Sequence, residues 1–167
     1  MIKEFKPWFY KGKPIYSTKD MPENSYGFIY EITYLPTGQK YLGKKNVYHE
    51  KNKKLGKKEL IKIREERKSK GLRGRAPTKK KITFESDWKT YHGSHKKVME
   101  LVKQEGPEQF NREILMFVKD KKMLTYYETK FLFLYEVIEN NDTYFNTNIS
   151  GHFYSKDFKN PENSMEI

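Results

Sequence analysis

The chain reads as an α+β domain in which a small three-stranded antiparallel sheet is flanked by helices and interrupted by a basic helical insertion. Three observations predict this. Two β-type runs face each other across Pro36-Thr37-Gly38, a third apolar run occupies 110–118, and apolar residues at helical spacing precede and follow that third run.

Residues 1–22 read as an amino-terminal arm in which Trp8, Phe9 and Tyr10 anchor against the domain and Lys-Gly-Lys-Pro makes a turn. Tyr26 to Tyr34 is aromatic and β-branched, which predicts a strand; Gln39 to Gly43 is the returning strand of a hairpin. Residues 57–70 are rich in helix formers and carry only a thin apolar strip at Leu60, Ile61 and Ile63, so an exposed helix is expected there. Gly71 to Pro77 breaks that helix and is expected to be mobile. Val98, Leu101 and Val102 fall at i, i+3, i+4 spacing in a helix that Gly106-Pro107 ends. Phe110 to Val118 is the third strand, and Met123 to Ile138 is a long helix with Leu124, Tyr127, Phe131, Leu134 and Val137 or Ile138 facing inward. The domain is expected to span 23–151 with its insertion at about 46–82, followed by a polar tail at 152–167.

The net charge is +12, but its distribution carries more information than its size. Residues 44–82 hold 17 Lys or Arg against four Glu, a local balance of +13, so the remainder of the chain is slightly acidic. A concentrated cationic segment attracts a polyanion, and with nucleic acid the affinity comes largely from counterion release. The aromatic share of 16% against 35% hydrophobic residues predicts a compact, aromatic-rich core. The absence of cysteine excludes a disulfide scaffold and a Cys-ligated zinc site. Neither a signal-peptide pattern nor the ~20 apolar residues of a membrane span is seen, so a soluble cytoplasmic protein without membrane partners is expected.

Phe28-Ile29-Tyr30, Tyr41-Leu42-Gly43, Glu128 within Tyr126-Tyr127-Glu128-Thr129-Lys130-Phe131, and Tyr144-Phe145-Asn146 follow one another in an order and spacing that resembles the GIY-YIG nuclease domain. The resemblance spans roughly residues 26–149. Phe28 stands where the family motif has its first glycine, Leu42 replaces isoleucine, and no arginine follows closely on Gly43.

The resemblance implies a DNA endonuclease, phage-encoded and of homing or DNA-processing type, in which Tyr30 activates or orients the attacking water and Tyr41 positions phosphate or water. Phosphodiester hydrolysis needs a base and positive charge against the phosphate. Glu128 is the expected ligand of Mg2+ or Mn2+, since magnesium commonly binds through few protein ligands. An ordinary tyrosine, with a pKa near ~10, is a poor base, and Lys44 is placed to acidify Tyr30. The catalytic cation is open among Lys44, Lys45, Arg64, Arg67 and the His92 and His95 pair, with Arg67 favoured if its helix folds back over the hairpin. Of the His92 and His95 pair, His95 is the expected proton carrier. Asn146 is expected to position a phosphate or metal-bound water, or to cap a turn. Lys45, Lys57, Lys58, Lys62, Arg64, Arg73 and Arg75 are the expected contacts to duplex DNA. A catalytically silent domain that binds DNA or RNA is the alternative reading. About twenty residues follow the core, so specificity is expected from the core, the insertion or a partner.

Overall fold

The computed structural model describes residues 5–158. In chain order the elements are β1 (Trp8–Tyr10), β2 (Lys13–Ile15), β3 (Gly27–Tyr34), β4 (Lys40–Asn46), β5 (Tyr48–Lys54), α1 (Lys57–Ser69) and β6 (Lys79–Glu85). They continue with α2 (Lys96–Glu105), β7 (Phe110–Val118), α3 (Lys121–Leu134), β8 (Asn148–Ile149) and β9 (Phe153–Tyr154). They divide into two units: residues up to Val47 together with those from Asp87 onward, and Tyr48–Ser86.

The first unit is α+β, but its sheet has five strands rather than three, in the order β2-β1-β7-β3-β4. The expected antiparallel core of β7, β3 and β4 is present. The correction lies at the amino terminus, where β1 pairs antiparallel with β2 and parallel with β7, which makes the sheet mixed. Each added strand is only three residues long, too short to show a period of two in the sequence.

Side chains alternate across the pleat and so divide the core into two layers. On one face Ile29 and Leu42 join Leu124, Leu132, Val137, Ile138 and Ile149 against α3. On the other, Trp8, Phe28, Tyr30 and Trp88 form an aromatic layer, with the Trp8 indole N–H donating to the Trp88 carbonyl at 2.7 Å. Arg112 shares the inward register of Phe110 and Ile114 on β7 and is itself buried. Its guanidinium lies 4.8 Å over the Trp8 ring and donates to the carbonyls of Lys89 and Tyr91 at 2.9 Å and to that of Lys6. One buried cation thus fastens both the first strand and the 89–91 segment to β7.

Asp120 caps α3 by accepting from the Met123 amide at 2.9 Å. The helix ends at Leu134 rather than running to Ile138, because Glu136 turns the chain with φ +49°. Val137 and Ile138 still reach the core, from a turn rather than a helix, whereas Leu134, expected to face inward, is exposed.

The second unit corrects the expectation of a simply helical insertion. Helix α1 is there, exposed as expected, but it is flanked by β5 and β6, which pair over seven residues each into a two-stranded antiparallel ribbon. Its lysine-rich strands carry little intrinsic β-propensity, which is why the sequence pattern conceals them.

Candidate active site

Register places the hairpin tyrosines. Tyr30 on β3 stands opposite Gly43 on β4, and Ile32 stands opposite Tyr41, so both tyrosines project from the same face. Their rings lie 6.2 Å apart, and Tyr91 closes on Tyr30 edge-on at 5.9 Å. The Tyr30 hydroxyl occupies space left by two glycines: a Cβ on Gly43 would meet it at 2.6 Å and one on Gly93 at 3.5 Å. Gly93 also needs its glycine for φ +88° and for the Tyr41 ring, 2.8 Å from where its Cβ would be.

Glu128 reaches the same edge from the opposite face. Leu42 and Lys44 alternate onto the α3 side of β4, where the Lys44 ammonium lies 2.9 Å from Glu128 Oε2 and 3.0 Å from Thr125 Oγ1. Because β4 is the edge strand, the two faces meet beside it. There a cleft of about 290 Å³ is lined by Tyr41, Ser94, His95, Glu128, Asn146 and Ser150, among others.

The electrostatics of this site correct one expectation. Burial pushes the Tyr30 phenol well above its ordinary value of 10.0, with Tyr41, Tyr91 and Glu128 adding to the effect. Lys44 does not acidify Tyr30 but pairs with Glu128. Tyr41 is also raised, first by burial, and its hydroxyl lies 3.4 Å from Ser94 Oγ. The cation on the tyrosine side is Lys45, 3.8 Å over the Tyr91 ring and 2.5 Å from Asp87.

His95 sits at the start of α2 against Tyr41, with ring centroids 5.6 Å apart. Burial and Lys97 lower its pKa, and its buried Nδ1 has no hydrogen-bond partner. His92 is not part of the cleft. It packs between Phe5 and Phe110 with Nδ1 2.8 Å from the Thr90 carbonyl, and burial followed by Arg112 lowers its pKa to about 4.

Asn146 is buried, and its amide bridges the outer edge of β4. Oδ1 accepts from the Leu42 amide at 3.0 Å and Nδ2 donates to the Leu42 carbonyl at 2.8 Å. Two further backbone bonds, from the Lys40 amide to the Thr143 carbonyl and from the Phe145 amide to the Lys40 carbonyl, extend the seal. What the geometry shows for Asn146 is therefore the closing of a strand edge.

The remaining expected residues belong to the second unit. Lys57, Lys58, Lys62 and Arg64 are exposed on α1, and Arg73 and Arg75 are exposed on the loop that follows. Arg67 is half-buried and donates to the Arg73 carbonyl at 3.0 Å within its own unit. Two residues escaped sequence reasoning. Tyr91 is an aromatic among the polar residues of 86–94, a pattern that suggests burial but no site role, whereas Arg112 occupies an apolar position of the β7 alternation, which marks a buried arginine.

The chain matches the family model described as "Putative endonuclease segE, GIY-YIG domain" over residues 8–149. It belongs to the GIY-YIG nuclease family. The GIY-YIG match begins at Trp8, the first residue of β1, so the two amino-terminal strands fall within the matched span. Comparison with curated proteins and with solved structures returned no match.

Among the described residues of this GIY-YIG domain, no three His, Cys, Asp or Glu side chains gather as a metal cluster, and no helix is long and apolar enough to cross a membrane. A single carboxylate opening on a polar cleft nevertheless fits a magnesium-type ion, which keeps most of its coordination for water and phosphate.

Proposed function

We propose that the protein is a divalent-metal-dependent DNA endonuclease, phage-encoded, of homing or DNA-processing type and active in the host cytoplasm. Its cleft would hydrolyse phosphodiester bonds of duplex DNA. The observation that carries the reading is the convergence of Tyr41, His95 and Glu128 on one cleft beside β4, with Tyr30 locked behind Tyr41.

In this reading Glu128 holds Mg2+ or Mn2+, which when bound supplies positive charge against the phosphate. Tyr30, kept protonated by its burial, orients the attacking water rather than serving as a ready phenolate. His95, kept neutral by its lowered pKa, accepts the water's proton as the new phosphorus–oxygen bond forms and the bond to the leaving oxygen breaks. Tyr41 positions the phosphate, and Lys44 and Lys45 contribute charge. The basic second unit binds the DNA backbone, which its excess of lysine and arginine supports.

The test compares cleavage of duplex DNA and structured RNA in magnesium and in chelator, for the native chain and for Glu128→Ala. Magnesium-dependent cutting of duplex DNA, lost in Glu128→Ala while binding persists, is expected. Binding without cleavage by the native chain would instead establish a silent nucleic-acid-binding domain.

A further inference from the structure

The β5/β6 ribbon has two faces of different character. Directly opposed residues share a face, so register assigns His49, Lys51, Lys53, Lys80, Ile82 and Phe84 to one side. Helix α1 is tied to that side, since Glu59 pairs with Lys80 at 2.5 Å while its other oxygen caps the Gly56 amide at 3.0 Å. The opposite face presents Tyr48, Glu50, Asn52 and Lys54 across from Glu85, Thr83, Lys81 and Lys79, so its lysines gather at the end away from Glu85. All but Tyr48 are exposed.

That second face is built against its own stability. Lys54 stands directly opposite Lys79, and like charges opposed across a strand pair are destabilising; Lys53 opposes Lys80 in the same way on the other face, but there Glu59 pairs with Lys80. Lys81 pairs with Glu50 on this face at 3.4 Å, an exposed contact worth little. The unit has no buried residue with which to offset the repulsion. A two-stranded ribbon without a covering layer is marginal in water. An external polyanion is what such a face lacks.

Its dimensions and chemistry select the kind of polyanion. Strands about 4.8 Å apart, extending for about 23 Å over seven residues, match the major groove, which is about 12 Å wide and admits a two-stranded ribbon. Asparagine, lysine and threonine are among the side chains that read base edges there. The exposed His49 and Phe84 rings, of the type single-stranded nucleic acid stacks upon, are on the other side.

We propose that the face bearing Asn52, Lys54, Lys79 and Lys81 inserts into the major groove of duplex DNA, with α1 as its brace. The proposal rests on the nuclease reading above, and it moves the principal contacts from the helix to the ribbon.

The experiment uses the full chain and dimethyl sulfate, which methylates guanine N7 in the major groove. Two charge-matched triple variants are compared, Lys54→Gln/Lys79→Gln/Lys81→Gln on the ribbon and Lys57→Gln/Lys58→Gln/Lys62→Gln on the helix, with circular dichroism confirming that both fold. The native protein should protect N7 positions in bound duplex. The ribbon variant should lose that protection and flatten the slope of log affinity against log salt by about 0.9 per lost phosphate contact. The helix variant should keep the protection. Cleavage by the native chain without N7 protection, or protection lost equally in both variants, would overturn the ribbon assignment alone. Failure of the native chain to bind or cut duplex DNA would overturn the nuclease reading with it.

Discussion

The Tyr30 hydroxyl lies against Gly43, 2.6 Å from the point where a Cβ on that residue would stand. The Tyr30 ring is held by Trp8, Phe28 and Tyr91, so it cannot simply swing aside. Gly43→Ala is therefore expected to cost about 1–3 kcal/mol through overpacking and about a hundredfold in cleavage rate through misplacement. In the double variant Gly43→Ala/Tyr30→Phe, removal of the hydroxyl should recover part of the stability but none of the rate. Urea midpoints and single-turnover rates check both; additive stability losses would mean the two groups do not meet.

Tyr30→Phe alone keeps the packed ring and removes only the group proposed to orient water. A loss of about a hundredfold or more is expected. Because burial holds the phenol well above its ordinary value, the native enzyme should show no tyrosinate absorbance from Tyr30 below pH 10. A tyrosine titrating near neutrality and lost in Tyr30→Phe would reverse the assignment.

Asn146→Leu should strip the Leu42 amide and carbonyl of their side-chain partners at a buried strand edge. Each orphaned group costs about 1–3 kcal/mol. The expected result is a lower melting temperature, with fastened amide exchange lost first along β4 in hydrogen-exchange measurements. An unchanged melting temperature would leave the amide bridge without energetic weight.

His92 gives the fold a pH dependence separate from that of the chemistry. Its pKa falls from 6.5 unfolded to about 4 folded, so the unfolded chain binds a proton that the folded chain does not over that window. Stability contributed by neutral His92 is fully present above pH 6.5 and is lost as pH falls toward 4, by about 3 kcal/mol at most. Unfolding midpoints taken from pH 7 down to pH 4 should fall more steeply in the native protein than in His92→Gln. Parallel slopes would show that His92 is not the group responsible.

Much of this could be read before any coordinates. β3, β4 and β7 announce themselves by alternation around a recognisable turn, and α2 by its spacing and its Gly-Pro stop. Tyr30, Tyr41 and Glu128 do fall around one edge strand. What stayed hidden was set by tertiary contact. The three residues of β1 have no period to detect, and they are strand only because β7 offers a free edge. Likewise Tyr91 is one aromatic among 13 tyrosines until Arg112 fixes its carbonyl and brings its ring to Tyr30. The acidifying role expected of Lys44 failed for a simpler reason: strand alternation sends its ammonium to the opposite face.

The parallel pairing of β1 with β7 also orders events during synthesis. Arg112 clasps the carbonyl of Lys6 from 106 positions away, so the β1–β2 hairpin cannot join the sheet until β7 has been translated. Until then the Trp8 ring lacks the Arg112 guanidinium that stacks on it, and the aromatic floor beneath Tyr30 is unfinished. A nascent fragment stalled before β7 would therefore lack any preformed cleavage centre.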